Sequence, residues 1–210
     1  MRKYSVHKVF GPTIQGEGGM SGTVCHFIRL AGCNMWDGRP ETREASSCPF
    51  CDTDFFTHTM MTADEIKAAL ISLPDIGTVE WVTISGGEPL LQLDQELIEG
   101  LRARYRVAVE TNGTTALRAP VDHLTLSPKL PAAKTVIREC DSLKLLYPHP
   151  NPLIRPEYFH DIFAGDRYLQ PIDTGNAELN KIYIQRTVER LYELNGWRLS
   201  LQTHKYAGVE

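Results

Sequence analysis

Apolar positions along the 210-residue chain alternate between two periods. Val24 to Leu30 is a short apolar run of strand length, and Val79 to Ile84 is a second that stops at Ser85-Gly86-Gly87. Arg106 to Glu110, Asp122 to Leu126, Ser142 to Tyr147, Tyr168 to Gln170 and Trp197 to Leu201 read as further strands. Helical patterns fall between them. Thr62-Ala63-Asp64-Glu65 has the form of a capping box and predicts a helix through about Leu73. Asp94 to Arg104 predicts another. Asn176 to Leu194 predicts the longest, with Leu179, Ile182, Val188, Leu191 and Leu194 roughly on one face. Pro148 to Pro156 is a Pro-rich loop. No repeat, low-complexity tract or clear linker interrupts the series, so residues 1–210 are expected to form a single domain.

Strands alternating with helices imply an α/β fold with a mostly parallel sheet. Such sheets bind ligands beyond the C-terminal ends of their strands. The unusual residues of this chain gather at those ends. Ser85-Gly86-Gly87-Glu88-Pro89 follows one strand, and Glu110-Thr111-Asn112-Gly113, Ser127-Pro128-Lys129 and Gln170-Pro171-Ile172-Asp173 end three more.

Composition narrows the classes. The chain is 42% hydrophobic and 23% charged, with a net charge of -4, so it lacks the basic footprint of a nucleic-acid binder. No apolar run approaches the roughly 20 residues of a membrane helix. Met1-Arg2-Lys3-Tyr4-Ser5 is followed by no apolar stretch of a secretory signal. Five cysteines without an export signal read as metal ligands or free thiols, and a cytoplasmic location is expected.

Three of those cysteines, Cys33, Cys48 and Cys51, form the pattern C-x14-C-P-F-C just after the first predicted strand. Three thiolates are one short of a closed structural zinc site or a fully ligated iron-sulfur cubane. Zinc with His26 or His58 as fourth ligand is one reading. The other is a 4Fe-4S cluster with one iron left open to chelate the amino and carboxylate groups of S-adenosylmethionine. Cys25 and Cys140 sit in apolar surroundings and read as structural thiols, and Met60-Met61 as packing.

The three cysteines with an aromatic before the last, Gly86-Gly87-Glu88-Pro89 and Glu110-Thr111-Asn112-Gly113 resemble the radical S-adenosylmethionine superfamily. Three further stretches narrow the likeness to the 7-carboxy-7-deazaguanine synthases: Thr13-Ile14-Gln15-Gly16-Glu17-Gly18, Cys51-Asp52-Thr53 and Trp197 to Tyr206. The superfamily usually spaces its cysteines C-x3-C-x2-C. The longer first gap here resembles a variant within the synthase family, which leaves the Asn34 to Ser47 loop without an assigned role.

The resemblance implies an incomplete (β/α) barrel with a radical S-adenosylmethionine core. Fewer than eight strands are expected, because the chain is short for a full barrel. It implies a 4Fe-4S cluster on Cys33, Cys48 and Cys51. It implies S-adenosylmethionine bound by Phe50, Cys51, Asp52, Gly87, Ser127, Pro128, Lys129, Gln170, Pro171, Ile172 and Asp173. No catalytic side chain is assigned beyond the cluster and cofactor. Gly86 and Gly87 lack side chains, so backbone could approach the methionine moiety, or simply make a tight turn. Phe50 is expected against adenine or in simple core packing. Glu110 and Asn112 could bond ribose or methionine groups, or an Asn-Gly turn could explain them.

The implied substrate is 6-carboxy-5,6,7,8-tetrahydropterin, contracted to 7-carboxy-7-deazaguanine with loss of ammonia. Arg29 offers a planar fork for its carboxylate or carbonyl oxygen. Glu17 can accept from the pterin amino group and ring nitrogen. Ile14, Gln15, Gly16, Ser85, His204 and Glu210 complete the implied substrate set. Thr53 is implied as a Mg2+ ligand beside the substrate carboxylate. The implied partners are an electron donor such as flavodoxin or ferredoxin, with no nucleic acid or membrane. The open sheet edges of an incomplete barrel lead to the expectation of a homodimer. The alternatives are an activase that uses the same radical on a protein glycine, and a zinc-stabilised interaction module.

Overall fold

The computed structural model describes residues 1–74 and 79–210. Among these residues nine strands form one sheet: β1 (Tyr4–Ile14), β2 (Val24–Leu30), β3 (Thr59–Met61), β4 (Trp81–Gly86), β5 (Arg106–Thr111), β6 (His123–Leu126), β7 (Glu139–Tyr147), β8 (Phe163–Pro171) and β9 (Trp197–Leu199). Their order is β3-β1-β2-β4-β5-β6-β7-β8-β9, with β3 and β9 left as unjoined edges. Every pairing from β2 onward is parallel, while β1 runs antiparallel to both its neighbours. The expected incomplete barrel is therefore a seven-strand parallel run with a two-strand antiparallel flank. That flank carries the total past the expected number of strands.

Among the described residues four α-helices accompany the sheet: α1 (Ala63–Ile71), α2 (Gln95–Arg102), α3 (Ala177–Leu191) and α4 (Thr203–Ala207). The capping box at α1 is formed: the Glu65 amide donates to Thr62 Oγ1 at 3.2 Å, and the Thr62 amide donates to Glu65 Oε2 at 2.7 Å. Asp94 caps α2, and Asn176 caps α3 through the amides of Glu178 and Leu179. No helix among the described residues is long and apolar enough to cross a membrane.

Period-two alternation along the strands separates two environments. On one face Ile28, Leu30, Val82, Ile84, Val107 and Val109 pack with Ile66 and Leu70 of α1 and Leu97, Ile98 and Leu101 of α2. Each such side chain contributes about 1.5–3 kcal/mol by leaving water. The intervening positions Phe27, Arg29, Ser85, Glu110 and Lys144 line a cavity on the other face. Core burial on one side therefore fixes which polar groups meet on the other.

Two expectations are corrected. The first is the face predicted for the longest helix: in α3, Leu179 and Ile182 are exposed and the only buried residue is Thr187. Leu191 and Leu194 do pack on the core. The helix lies against β8 and β9, and β9 offers only three residues to cover it. The second concerns the N-terminus, where β1 is an eleven-residue strand that the apolar pattern does not announce. Its register slips between Phe10 and Thr13, where Gly11 and Pro12 break the alternation. Met60 and Met61 belong to the edge strand β3, where Met61 packs against the core as read from the sequence but Met60 is exposed, because an edge strand covers only one of its faces. Cys25 and Cys140 are buried, as expected of structural thiols.

Candidate active site

A cavity of about 450 Å³ opens at the C-terminal ends of the parallel strands. Of the residues the sequence singles out for cluster, cofactor, substrate and magnesium, all but Pro128 line it. Pro128 sits in the loop beyond β6, between two lining residues, Ser127 and Lys129.

Cys33 leaves β2, and Cys48 and Cys51 are drawn together by a turn in which the Cys51 amide donates to the Cys48 carbonyl at 3.1 Å. The Cys51 thiol is held down at about 7, chiefly by its hydrogen bond with Cys48. The same bond and burial push Cys48 up, and burial raises Cys33. The Lys129 ammonium favours thiolate at both Cys48 and Cys51. Neither His26 nor His58 lines the cavity. Among the described residues no trio of His, Cys, Asp or Glu converges on one ion. Three sulfur donors facing one cavity with a compensating cation fit a polynuclear cluster, in which each thiolate takes its own iron, better than a single zinc.

The glycine pair has a structural cause. A Cβ on Gly87 would lie 2.0 Å from the Gly32 carbonyl oxygen, and one on Gly86 would lie 2.0 Å from that of Leu30. Gly86 also has a φ of 125°. The amides of Gly87 and Glu88 donate to the Leu30 and Gly32 carbonyls, each at 2.9 Å. The turn is thereby stitched to the segment that delivers Cys33.

A chain of alternating charges crosses the cavity wall. Lys144 is ion-paired to Glu17, and to Glu110 at 3.1 Å. Gln15 donates to Glu110 at 2.7 Å, and Gln202 donates to Glu17 at 2.7 Å and to Asp52 at 2.9 Å. Lys205 joins Asp52 at 2.7 Å and Asp173 at 2.5 Å. Burial alone would raise the Glu17 carboxyl, but Lys144, with hydrogen bonds from Gln202 and Gln170, outweighs it and holds the group at about 2. Burial opposes the charge on Lys144, yet Glu110 and Glu17 raise it. Asp173 is held at about 2, first by its bond from Lys205. Both carboxyls are depressed when folded, so their stabilisation is complete above the ordinary values of 4.5 and 3.8 and is lost as pH falls toward 2. Thermal melts between pH 5 and pH 2 are expected to show a steep fall in Tm across that window, and Glu17→Gln is expected to flatten it.

Elsewhere in the cavity lining, on β2, the Arg29 guanidinium lies 5.1 Å from the Phe10 ring centroid and 3.8 Å from Glu210 Oε1. Phe10 stacks on Phe27 at 5.2 Å, and Lys8 also pairs with Glu210. Gly16 approaches His204 so closely that a Cβ there would lie 1.9 Å from its Nδ1, and the Gly16 carbonyl accepts from the Thr203 amide at 2.9 Å. Phe50 meets the His149 ring edge-on at 5.0 Å, so its visible contact is with this histidine. In the loop between the first two cysteines, Met35 and Trp36 are buried and line the cavity, and Arg43 lies 4.5 Å from the Trp36 ring centroid.

Lys144, Gln202 and Lys205 are functional candidates to which the sequence assigns no role. Lys144 carries one signal, a lone lysine inside the apolar strand Ser142 to Tyr147. Gln202 and Lys205 lie in the Trp197 to Tyr206 stretch, without any local mark of their partners.

The family model of the radical SAM superfamily matches residues 45–139. A 7-carboxy-7-deazaguanine synthase of Bradyrhizobium diazoefficiens is 39% identical, over 98% of this chain and 99% of that protein. Synthases of the same name from Bordetella pertussis and Caulobacter vibrioides are also 39% identical, each at 98% and 99% coverage. The crystal structure of QueE from Escherichia coli superposes with a TM-score of 0.61 at 22% identity, covering 95% of this chain and 94% of that one, which supports the fold. Aligned along nearly its whole length with named relatives at 39% identity, the chain belongs to the 7-carboxy-7-deazaguanine synthase family of radical S-adenosylmethionine enzymes, whose cofactors are a 4Fe-4S cluster and S-adenosylmethionine.

Proposed function

We propose that this protein converts 6-carboxy-5,6,7,8-tetrahydropterin to 7-carboxy-7-deazaguanine with loss of ammonia, a lyase step in queuosine-type 7-deazapurine biosynthesis. The observation that carries the reading is one cavity with Cys33, Cys48 and Cys51, a carboxylate wall at Glu17 and a guanidinium at Arg29. When bound, the cluster and S-adenosylmethionine supply an electron and a hydrogen-abstracting radical. The protein's part is to place, orient and shield. Cys33, Cys48 and Cys51 hold the cluster. Phe50, Gly87, Ser127, Lys129 and the Gln170 to Asp173 segment form the cofactor wall, with Lys129 pinned by bonds to the Ser127 carbonyl at 2.8 Å and Oγ at 2.6 Å.

Substrate enters between two unlike surfaces. Glu17 accepts from the amino-pyrimidinone edge, with Ile14, Gln15 and Gly16 beside it. Arg29 takes the carboxylate or carbonyl oxygen, displacing its contact with Glu210. Ser85 and His204 close the sides. Thr53 offers one hydroxyl to Mg2+ near the substrate carboxylate, in keeping with an ion that takes few protein ligands. Buried Met35 and Trp36 support a water-excluding role for the loop between the first two cysteines. We also read residues 1–210 as one cytoplasmic domain, forming a homodimer and reduced by a flavodoxin or ferredoxin; the single continuous sheet supports the first of these.

Anaerobic incubation of reconstituted protein with the pterin is the test. Formation of the deazaguanine with little net consumption of S-adenosylmethionine is expected. Stoichiometric 5'-deoxyadenosine without that product would favour an activase of a protein glycine instead. Arg29→Ala is expected to keep full iron content and raise KM on the order of tenfold or more, because a charged hydrogen bond is worth about 1.5–3 kcal/mol. An unchanged KM would place the carboxylate elsewhere.

A further inference from the structure

Lys144 lies on β7 with its side chain 3% exposed. Its neighbours Leu143 and Leu145 belong to the apolar core, so the strand's alternation drives the lysine to the cavity face. There it is shared between two carboxylates from distant elements, Glu17 before β2 and Glu110 on β5. The remaining oxygens are also engaged: Glu17 Oε1 takes the Gln202 amide at 2.7 Å, and Glu110 Oε1 takes that of Gln15 at 2.7 Å. One ammonium between two carboxylates leaves one surplus negative charge. Such a group of charges repels an anionic group and attracts N–H donors, while Arg29, which lines the same cavity from β2, does the reverse.

Resting on the pterin reading, we propose that Lys144 is a positioning residue for specificity: it holds Glu17 as a fixed two-oxygen acceptor, so the pocket selects a ring edge with paired N–H donors. A protonated Glu17 would present one donor and one acceptor and would suit a 2-oxo ring about as well as a 2-amino ring. A buried carboxylate deprived of its cation protonates more readily. The other titratable groups that bear on Glu17 are His204 of α4, which burial keeps toward its neutral form, and Lys129 after β6, and neither makes the direct ion pair that Lys144 does. Among the described residues Lys144 is thus the one cation in direct contact with Glu17, aided by hydrogen bonds from Gln202 and Gln170 that are neutral.

The test measures anaerobic equilibrium binding of 6-carboxypterin and 6-carboxylumazine, its 2-oxo counterpart, to reconstituted holoenzyme. Wild type is expected to favour the pterin by about tenfold or more, since a mismatched edge leaves a buried polar group unpaired. Lys144→Gln, which can still donate to both carboxylates, is expected to bring that ratio close to one. Its pterin affinity is expected to weaken as pH falls from 8 to 5, a slope absent from wild type. Lys144→Arg is expected to restore the ratio. A Lys144→Gln protein that keeps the wild-type ratio and a flat pH profile overturns the proposal, while wild-type turnover of the tetrahydropterin leaves the activity reading intact. Should Lys144→Gln fail to fold, Glu17→Gln carries the test, because it retains the Lys144–Glu110 pair and should lose the ratio alike. A Glu17→Gln protein that keeps the ratio also overturns the proposal. Wild-type protein that binds neither ligand and forms no deazaguanine overturns both readings.

Discussion

Cys51→Ala is expected to reduce S-adenosylmethionine cleavage to background while leaving the fold in place. The thiol lies in a loop, and its hydrogen bonds are with Cys48 and, at 3.9 Å, with the Thr53 carbonyl. Neither joins the core beneath α1 and α2, so removing Sγ costs little stability. The chemical cost is total, because three thiolates are the whole protein ligand set and alanine offers no donor in place of the third. Neither His26 nor His58 lines the cavity. Iron and sulfide content after anaerobic reconstitution, with 5'-deoxyadenosine release after reduction, measures the loss. Thermal melts and far-ultraviolet circular dichroism should overlay those of the wild type. Retained cleavage would mean that Cys51 is not a cluster ligand, and the reading of the cavity would fail at its centre.

Much of this site is legible along the chain because its parts sit where strands end. Arg29, Ser85, Glu110 and Gln170 each close a predicted strand, and the alternation that buries Leu30, Ile84, Val109 and Leu169 turns them toward the cavity. What stays hidden is pairing across long separations. Lys144 meets Glu17 from 127 residues away, and Lys205 meets Asp52 from 153. No local spacing marks either contact. β1 is obscured for another reason: His7, Lys8, Gly11 and Pro12 interrupt its apolar alternation, and pairing to β2 and β3 supplies what the pattern lacks. The face assigned to α3 fails because periodicity predicts a stripe but not how much sheet lies beneath it.

Glu88→Ala is expected to be the most destabilising single change near the cavity. The side chain is 1% exposed and does not line the cavity, so its importance is structural. Its Oε1 accepts from the Leu90 amide at 2.9 Å and from Thr111 Oγ1 at 2.7 Å, and its Oε2 accepts from the Asn112 amide at 2.7 Å. Burial pushes the carboxyl up, and those donors pull it back without fully offsetting the rise. Asn112 in turn donates to Asn34 Oδ1 at 3.0 Å, one residue beyond Cys33. A single carboxylate therefore ties the glycine turn, the Glu110 to Gly113 turn and the first cluster cysteine together. Alanine leaves buried donors without an acceptor, and about 3–5 kcal/mol of unfolding free energy should be lost. Glu88→Gln keeps the shape but turns an amide toward the Asn112 N–H, so it should lose about 1–3 kcal/mol. Urea denaturation at neutral pH gives both values, and equilibrium binding of S-adenosylmethionine should weaken in the same order. An alanine variant within about 1 kcal/mol of wild type would show that the turns hold their positions without this carboxylate, since surface changes alone rarely exceed about 0.5 kcal/mol.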